Sequence, residues 1–503
     1  YFYDRANRQT AVQNPLGYQV QSTYYADGQL KCTINQQGHR TTYTYDPANR
    51  QIAVQNPLGY QVQSTYYPDG QLASTTNEEG HTTWYYYDAA NRQTAVQNPL
   101  GYQVQSTYYP DGQLESTRNE EGDATWCFYD QANRQVKVRN PIGAETTSTY
   151  YSDGQLETTT DPEGHTTHYY YDQANRQTRV VNAENGTTTL TYYPDGQVET
   201  EAPPDAGTTT YYYDMANRKT RVHKPTSGGG YGDYYTTYYS DGMVHVETDP
   251  EHGAATYTYD AANRKIQVDK PKGSYYTSYY VDNMVYQETD PASGMTTHFY
   301  DEANRETQVN KPIGTFYTSY YADNQVHVRT DPESGTTTYY YDAANRQTRV
   351  VQPDGGETQT TYYPDGQPRC TINALGQRTT YTYDAANRQT SEEKPSDPTP
   401  CVTTFVYSIG DLLVATVNPL GIATSYVYDV MGRRIAVIDG RGYCTTTLYD
   451  LAGRPVVRIQ PEGNRSTCVY DWAGNLIAFY DGNNHLTGFG YDLMGRKTLE
   501  VDP

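Results

Sequence analysis

The amino-acid sequence predicts an all-β fold, built as an array of antiparallel β-hairpins stacked side by side. Three observations support this prediction. A Tyr-Asp-x-x-Asn-Arg motif recurs at even spacing, asparagine and glycine replace each other at fixed turn positions, and no stretch shows a sustained 3.6-residue hydrophobic period.

The Tyr-Asp motif defines the repeat. Its first ten copies lie mostly 42 residues apart, and the last four lie 21 residues apart. A second turn, first seen as YYADGQL at residues 24–30, occupies the middle of each 42-residue unit and degenerates to VYSIGDL at residues 406–412. The motif aspartates are Asp4, Asp46, Asp88, Asp130, Asp172, Asp214, Asp260, Asp301, Asp342, Asp384, Asp429, Asp450, Asp471 and Asp492.

These periods divide the chain into three parts. Residues 1–396 are predicted to be double-hairpin repeats of about 42 residues, 397–411 a degenerate junction half-unit, and 412–503 repeats of 21 residues. Both ends lie inside repeats, so we expect the sequence to be a piece of a longer chain.

The exchange of Asn and Gly marks the turns. Both residues tolerate positive φ, so each such position is predicted to be left-handed, and the neighbouring Asp is predicted to accept backbone N–H groups. The predicted structural turn residues are Asp4, Asn7, Arg8, Asp27, Gly28, Asp88, Asn91, Arg92, Asn283, Asn324, Asp429, Gly432, Arg433, Gly453, Gly474 and Gly495.

The segments between turns are predicted to be strands. They are rich in Thr, Tyr and Val, which favour strands, and end at Asn-Pro-x-Gly or Asp-Pro-x-Gly reversals. Each hairpin is marginal alone, so stability must come from neighbouring hairpins. The recurring Arg is expected to stack on a Tyr or to meet the turn Asp of an adjacent unit.

Composition indicates a thin wall without a thick core. Hydrophobic residues make up 35% of the chain, with 58 tyrosines and only 7 phenylalanines, and the mean hydropathy is -0.89. The net charge of -22 argues against binding nucleic acids or anionic membranes. The sequence has no apolar run long enough for a transmembrane helix and no visible signal peptide.

No residue pattern predicts catalytic, cofactor or metal chemistry. The six cysteines form no C-x-x-C pair, and the acidic turns lack the ligand density of a calcium loop. The carboxylates recur in turns, so none is singled out for acid–base work. The insertion at residues 226–233 is interpreted as a widened loop that could contact a ligand.

The motifs resemble those of the YD-repeat family, also called RHS repeats, most closely in YVYDVMGRRIAVIDGRG and TLYDLAGRPVVRIQPEG. The resemblance implies a β-sheet strip that spirals into a hollow shell or tube, as in bacterial toxin complexes, polymorphic toxins and teneurins, and a secreted or cell-surface location. Asp161-Pro162-Glu163-Gly164 matches half of the paired self-cleavage motif of toxin members, but it lies mid-array and lacks its partner.

Two functions remain open on this resemblance. The first is a non-enzymatic shell that encloses or delivers a cargo such as a toxin. The second is an extracellular adhesin or filament, with carbohydrate or cells as ligands, and the nearly identical stretches 8–30, 50–72 and 92–114 favour it. The expected partners are neighbouring repeats, an enclosed C-terminal cargo or further copies of the chain; an enzyme is the least favoured hypothesis.

Overall fold

The computed structural model describes residues 1–204, 206–226, 231–249, 253–396, 399–471, 474–491 and 497–502. These residues contain no helix and form 48 β-strands. The predicted all-β class is therefore confirmed.

The first 24 strands are short and evenly spaced. They are β1 Phe2–Tyr3, β2 Gln9–Gln13, β3 Gln19–Tyr24, β4 Leu30–Ile34, β5 Arg40–Tyr45, β6 Gln51–Gln55, β7 Gln61–Tyr66, β8 Leu72–Thr76, β9 Thr82–Tyr87, β10 Gln93–Gln97, β11 Gln103–Tyr108, β12 Leu114–Arg118, β13 Ala124–Tyr129, β14 Gln135–Arg139, β15 Glu145–Tyr150, β16 Leu156–Thr160, β17 Thr166–Tyr171, β18 Gln177–Val181, β19 Thr187–Tyr192, β20 Val198–Ala202, β21 Thr209–Tyr213, β22 Lys219–Pro225, β23 Tyr231–Tyr238 and β24 Val244–Asp249.

The remaining strands continue the same pattern. They are β25 Gly253–Tyr259, β26 Lys265–Lys270, β27 Gly273–Tyr279, β28 Val285–Asp290, β29 Gly294–Tyr300, β30 Glu306–Lys311, β31 Gly314–Tyr320, β32 Val326–Thr330, β33 Thr336–Tyr341, β34 Gln347–Val351, β35 Glu357–Tyr362, β36 Pro368–Ile372, β37 Arg378–Tyr383, β38 Gln389–Lys394, β39 Cys401–Tyr407, β40 Leu413–Val417, β41 Ala423–Tyr428, β42 Arg434–Ile438, β43 Cys444–Tyr449, β44 Pro455–Ile459, β45 Arg465–Tyr470, β46 Leu476–Tyr480, β47 Leu486–Tyr491 and β48 Lys497–Val501.

The chain forms two compact units, each made of two separate segments. Unit 1 combines Tyr1–Asp123 with Thr256–Thr380, and unit 2 combines Ala124–Ala255 with Tyr381–Pro503. The predicted division of the sequence at residues 396 and 411 concerns the repeat period and stays a prediction. Residues 397 and 398 of the junction, and residues 227–230 of the insertion, lie outside the described residues.

Strands that follow one another along the chain pair antiparallel. In unit 1, β2 pairs with β3 and β3 with β4; in unit 2, β17 pairs with β18 and β18 with β19. In each unit the turns therefore lie alternately on two edges of the sheet. We call the edge with the Tyr-Asp and Tyr-Tyr-x-Asp-Gly turns, such as 4–8 and 25–29, the Tyr edge. The Asn edge carries the alternate turns, such as 14–18 and 35–39.

Hairpins that turn at the Tyr edge contain a β-bulge. Tyr45 lies opposite Gln51, whereas Thr44 lies opposite Ala53, so Ile52 is an extra residue in the second strand. The turn itself is closed by two backbone bonds, from Asp46 N to Arg50 O and from Asn49 N to Asp46 O. This is the three-residue hairpin loop in which a type I turn is followed by a left-handed residue.

Neither unit has a thick hydrophobic core. Among the described residues, ten hydrophobic side chains are buried, and eight of them are Ala or Cys. Many tyrosines of the strands are half-buried. The stabilising contacts are therefore cross-strand pairs within a single sheet layer.

The positive φ of the left-handed residue in each Tyr-Asp turn can be tested by substitution. Asn91 has φ 65°, so we expect Asn91→Val to destabilise its hairpin by about 1–2 kcal/mol because β-branched residues fit this conformation poorly. Native-state hydrogen exchange of the β9 and β10 amides measures the loss. Asn91→Gly is the control and should keep wild-type protection; equal protection in the Val variant would contradict the turn assignment.

Candidate functional site

The aspartate of each Tyr-Asp turn organises the turn around its carboxylate. Asp4 Oδ1 accepts the backbone N–H groups of Ala6 and Arg8, both at 2.9 Å. Its Oδ2 accepts the Arg8 Nε–H at 2.7 Å. One carboxylate thus fixes both the backbone reversal and the orientation of the arginine side chain.

The arginine then links this turn to the next hairpin. Arg8 Nη1 donates to the backbone oxygen of Tyr25 at 3.0 Å, and its guanidinium stacks 5.0 Å from the centre of the Tyr24 ring. The Tyr24 hydroxyl donates to the Gln9 carbonyl at 2.7 Å. The first hairpin and the second are therefore joined by side chains as well as by the ladder.

This arrangement repeats along the Tyr edge of both units. The distance from the guanidinium carbon to the Tyr ring centre is between 4.6 and 5.1 Å in twelve copies. The expected stacking of the recurring Arg on a Tyr is therefore confirmed. The alternative, a contact with an Asp of the adjacent turn, is seen for Arg388, which meets Asp411, but it is not the common pairing. The Asp with which the Arg commonly pairs lies four residues earlier in its own turn, because the tight loop brings their side chains together.

The second type of Tyr-edge turn uses a tyrosine where the first uses an aspartate. Tyr25 N donates to Gln29 O, and Gly28 N to Tyr25 O. The Tyr25 ring packs edge-on against Tyr45, with ring centres 6.3 Å apart, and its hydroxyl donates to the Tyr43 carbonyl at 3.1 Å. Asp27 Oδ1 accepts the Gln29 N–H at 3.3 Å.

The other predicted turn residues also lie in Tyr-edge turns. Asn283 and Asn324 have φ 74° and 73°, and their side-chain oxygens accept bonds from Arg264 and Arg305. Positive φ is also found at the predicted positions Asn7, Gly28, Asn91, Gly432, Gly453 and Gly474. Gly495 lies outside the described residues.

A seam joins the two segments of unit 1. The Asn-edge turn at 77–81 meets the Tyr-edge turn at 321–325, where Ala322 N donates to Glu79 Oε1 at 2.7 Å across 243 residues of sequence. Ala322 is buried there. Burial at the same seam, together with the negative charge of Asp365, raises the pKa of Glu121.

Unit 2 has its own seam of the same kind. Arg433, in a Tyr-edge turn, pairs with Glu184 in the Asn-edge turn at 182–186, 249 residues away in sequence. Nearby, a Cβ built on Gly410 would lie 2.6 Å from the Cγ of Glu163. In both units the Asn edge of the earlier segment therefore packs on the Tyr edge of the later segment.

The seam changes how exposed the repeated arginines are. In unit 1, the side chains of Arg8, Arg50 and Arg92 are 29–32% exposed. Those of Arg264, Arg305 and Arg346, in equivalent turns of the later segment, are 14–20% exposed. The local turn is the same in both segments, so the difference comes from the covering edge.

The described residues line cavities with space for small molecules. One of about 380 Å³ lies in unit 1 between the seam turns and is lined by His39, Glu78, Glu302 and Asn304. Another of about 730 Å³ lies in unit 2, with Arg434, Arg458, Phe479 and Asp481 in its lining.

The parts of the chain that the structure describes contain no cluster of three or more His, Cys, Asp or Glu residues suited to a metal ion. Nor do they contain a helix with the length and apolar character needed to cross a membrane. Asp161, from the half-matched cleavage motif, accepts the backbone N–H groups of Glu163 and His165 and so forms an ordinary Asn-edge turn.

Sequence reasoning missed the seam residues. Glu79, Glu121, Glu163 and Glu184 all occupy the third position of their Asn-edge turns. Their recurrence at one turn position is a signal that the sequence contained. Their partners about 245 residues away could not be found from it, because a 42-residue period does not say which repeats meet.

Comparison with known proteins agrees with this repeat geometry. The RHS Repeat family model matches residues 24–61, 66–103, 150–188, 320–357, 362–399 and 410–443. These stretches are RHS repeats. Each match spans both a Tyr-edge turn and an Asn-edge turn. No curated protein matches the chain significantly by sequence.

Solved structures share the fold of these RHS repeats. The crystal structure of TcdB2-TccC3 matches with a TM-score of 0.75 at 12% identity, over 98% of this chain and 34% of that one. The TcdB2-TccC3-Cdc42 structure matches with a TM-score of 0.75 at 11% identity, over 97% of this chain and 36% of that one. A Photorhabdus luminescens Tc holotoxin pore matches with a TM-score of 0.51 at 12% identity, over 97% and 32%.

The likeness confirms the predicted YD-repeat β-solenoid class. At such low identity it shows the fold alone. The chain spans about a third of the length of the chains it matches.

The turn carboxylates predict an acid-sensitive fold. Backbone N–H groups and the paired guanidinium lower the pKa of turn aspartates such as Asp4, Asp46 and Asp130 below the ordinary value. A lowered pKa in the folded state stabilises the fold above the unfolded value of about 3.9, and this stabilisation is lost as the pH falls through the folded values. Thermal melts by circular dichroism should therefore be level near neutral pH and fall below about pH 4.

A single turn provides the control. The pKa of Asp88 is also lowered, by the side chain and backbone N–H of Arg92. Asp88→Asn removes one titrating group and should make the acid decline shallower. A melting temperature that rises on acidification would contradict this account.

The seam predicts unequal effects of one substitution at two equivalent turns. Lysine cannot reproduce the arginine fork, so Arg433→Lys should weaken contacts with both Asp429 and Glu184. Arg176→Lys, in the same unit, weakens only the Asp172 pair described for that turn. We expect a loss at Arg433 about 1 kcal/mol larger, measured by urea unfolding. Equal losses would mean that the seam contact contributes nothing.

Proposed function

We propose that this chain is a non-enzymatic wall segment of a larger secreted or cell-surface protein, which encloses or delivers a cargo such as a toxin. The observation that carries the proposal is the match to TcdB2-TccC3 along 98% of the chain. A further matched structure is described as a Tc holotoxin pore. The same likeness supports the proposed secreted or cell-surface location.

The packing of each unit supports a wall. A sheet whose buried residues are mainly Ala and Cys cannot stabilise itself as a thick globule. Its stability comes from side-chain ladders along the Tyr edge and from the seam between segments. The first device joins neighbouring hairpins into a strip, and the second joins strips edge to edge, which is what a wall requires.

The non-enzymatic role rests on how the polar residues are used. The turn carboxylates are engaged by backbone N–H groups and arginines in copy after copy. In the Asn-edge turns, Asn35 and Asn77 accept the backbone N–H groups of His39 and His81 in the same way. These groups stabilise the turns, so we assign any reaction chemistry to the cargo and not to the repeats.

An adhesin or filament is the second candidate. It is favoured by the edges that the seams leave uncovered, on which Arg8, Arg50 and Arg92 remain about twice as exposed as their covered equivalents. Such edges invite pairing with another surface. The two roles differ in one testable property. An enclosing wall protects a cargo from a protease, whereas an adhesin or filament does not need to.

Limited proteolysis of the full-length protein tests the proposed wall. We expect the segment beyond the repeats to resist a protease while the repeats are folded, and to be digested when the seam is opened by Glu184→Lys. Glu393→Lys, at an exposed carboxylate of β38, is the matched control and should preserve protection. Cleavage of that segment at the same rate in wild type and in Glu184→Lys would reject an enclosing wall.

A further inference from the structure

A column of aromatic rings is interrupted at two successive hairpins of unit 2. The third residue before the motif aspartate is a tyrosine in most Tyr-Asp hairpins, as at Tyr43, Tyr85 and Tyr426. It is Thr447 in the hairpin of β43 and β44 and Cys468 in the hairpin of β45 and β46. Two neighbouring hairpins therefore lack the large ring that the repeat places on this face of the sheet.

In intact copies, the tyrosine hydroxyl has a polar partner ten residues earlier, on the preceding strand. The hydroxyls of Tyr426 and Thr416 are hydrogen-bonded at 3.1 Å, and the Tyr211 hydroxyl donates to Glu201 Oε2 at 3.0 Å. The ring and its partner thus form a pair that recurs along the sheet. Where the ring is replaced by a small residue, the partner is left facing open space.

At Cys468 the partner position, ten residues earlier, is occupied by Arg458. Arg458 is exposed, and it lies directly opposite Thr447 on one side and Ser466 on the other. Residues opposite each other on neighbouring strands share a face of the sheet. A guanidinium and two hydroxyl groups are therefore brought together where the ring is missing.

Other arginines of the chain have partners that Arg458 lacks. Arg454, in the preceding turn, pairs with Asp450 at 2.7 Å. Arg329 occupies the position of Arg458 in a unit 1 hairpin that keeps its ring, and its guanidinium lies 5.9 Å from the centre of the Tyr339 ring. Arg458 forms no ion pair within the part of the chain that the structure describes, so its donors are available to a ligand.

The cavity of about 730 Å³ lies at this interruption and includes Arg434 and Arg458 in its lining. Its volume is in the range of small-molecule sites. The one carboxylate in the lining, that of Asp481, already pairs with His485 at 3.0 Å, so the two arginines leave the cavity with a positive charge. Strands β41 and β47 continue the ladder on either side, so the cavity lies within the sheet and not at its end.

We propose that this cavity binds a small aromatic carboxylate, whose ring takes the place of the missing tyrosine ring and whose carboxylate binds Arg458. The planar guanidinium matches the two oxygens of a carboxylate, and the hydroxyls of Thr447 and Ser466 can donate to the same oxygens. Phe479, directly opposite Cys468, offers an aromatic surface to the ligand ring. This site goes beyond the proposed wall function and does not rest on it.

The test compares three probes by NMR titration of the whole chain. Phenylacetate has both the ring and the charge, phenylacetamide has the ring alone, and acetate has the charge alone. We expect phenylacetate to bind about tenfold more tightly than either, because hydrogen bonds to a charged group contribute this much. Arg458→Gln should lower the affinity for phenylacetate about tenfold, to that of phenylacetamide.

Two further measurements locate the ligand. Cys468→Tyr restores the ring of the repeat and should abolish binding by filling the cavity, with circular dichroism to check that the β-sheet spectrum is retained. In the wild type, phenylacetate should slow the alkylation of Cys468 by iodoacetamide and leave that of Cys444 unchanged, because Cys444 is exposed and does not line the cavity. Mass spectrometry of the peptides measures each rate.

The matched control is Arg465→Gln, because Arg465 is an exposed arginine next to Ser466 and so lies on the opposite face of the sheet. It should bind phenylacetate as the wild type does. A wild type that binds no phenylacetate overturns the proposal, as does undiminished binding in Arg458→Gln or in folded Cys468→Tyr. Equal affinity for acetate and phenylacetate, or alkylation of Cys468 that the ligand does not slow, would also overturn it.

Discussion

The structure depends on a chain reversal that must occur about every ten residues without a hydrophobic core to enforce it. The turn aspartate meets this constraint with one carboxylate, which accepts two backbone N–H groups and orients an arginine. The same arginine reaches forward to a carbonyl and a tyrosine ring of the next hairpin. Local reversal and contact between neighbours are thus one interaction, and its repetition builds the sheet.

The seams depend on the regular backbone geometry of these turns. Because every turn has nearly the same backbone, an edge presents small tips at even intervals, and another edge can pack against them along its length. The contacts found are few and polar, such as Glu79 with Ala322 and Glu184 with Arg433. They lie at separate turns, so each adds little while their sum holds two distant segments together.

The fold could be predicted from the sequence because its determinants are local. The spacing of Tyr-Asp pairs gave the hairpin period, and the exchange of Asn with Gly at positions such as Asn91 and Gly432 indicated left-handed turn residues; both have positive φ. The pairing of Arg with its own turn Asp was missed, since motif spacing does not show that a bulged loop brings residues i and i+4 together. The seam was missed because it joins residues about 245 positions apart, and nearly identical repeats offer many equivalent partners.

Among the described residues, the strand pairings join strands that are adjacent in sequence, and this has a mechanical consequence. When the two ends of such a chain are pulled apart, the force acts on the backbone hydrogen bonds of one terminal hairpin at a time. These bonds therefore break in succession. The arginine contact to the next hairpin adds a small step at each release. Under tension the sheet is therefore expected to unfold one hairpin after another, without a single large rupture.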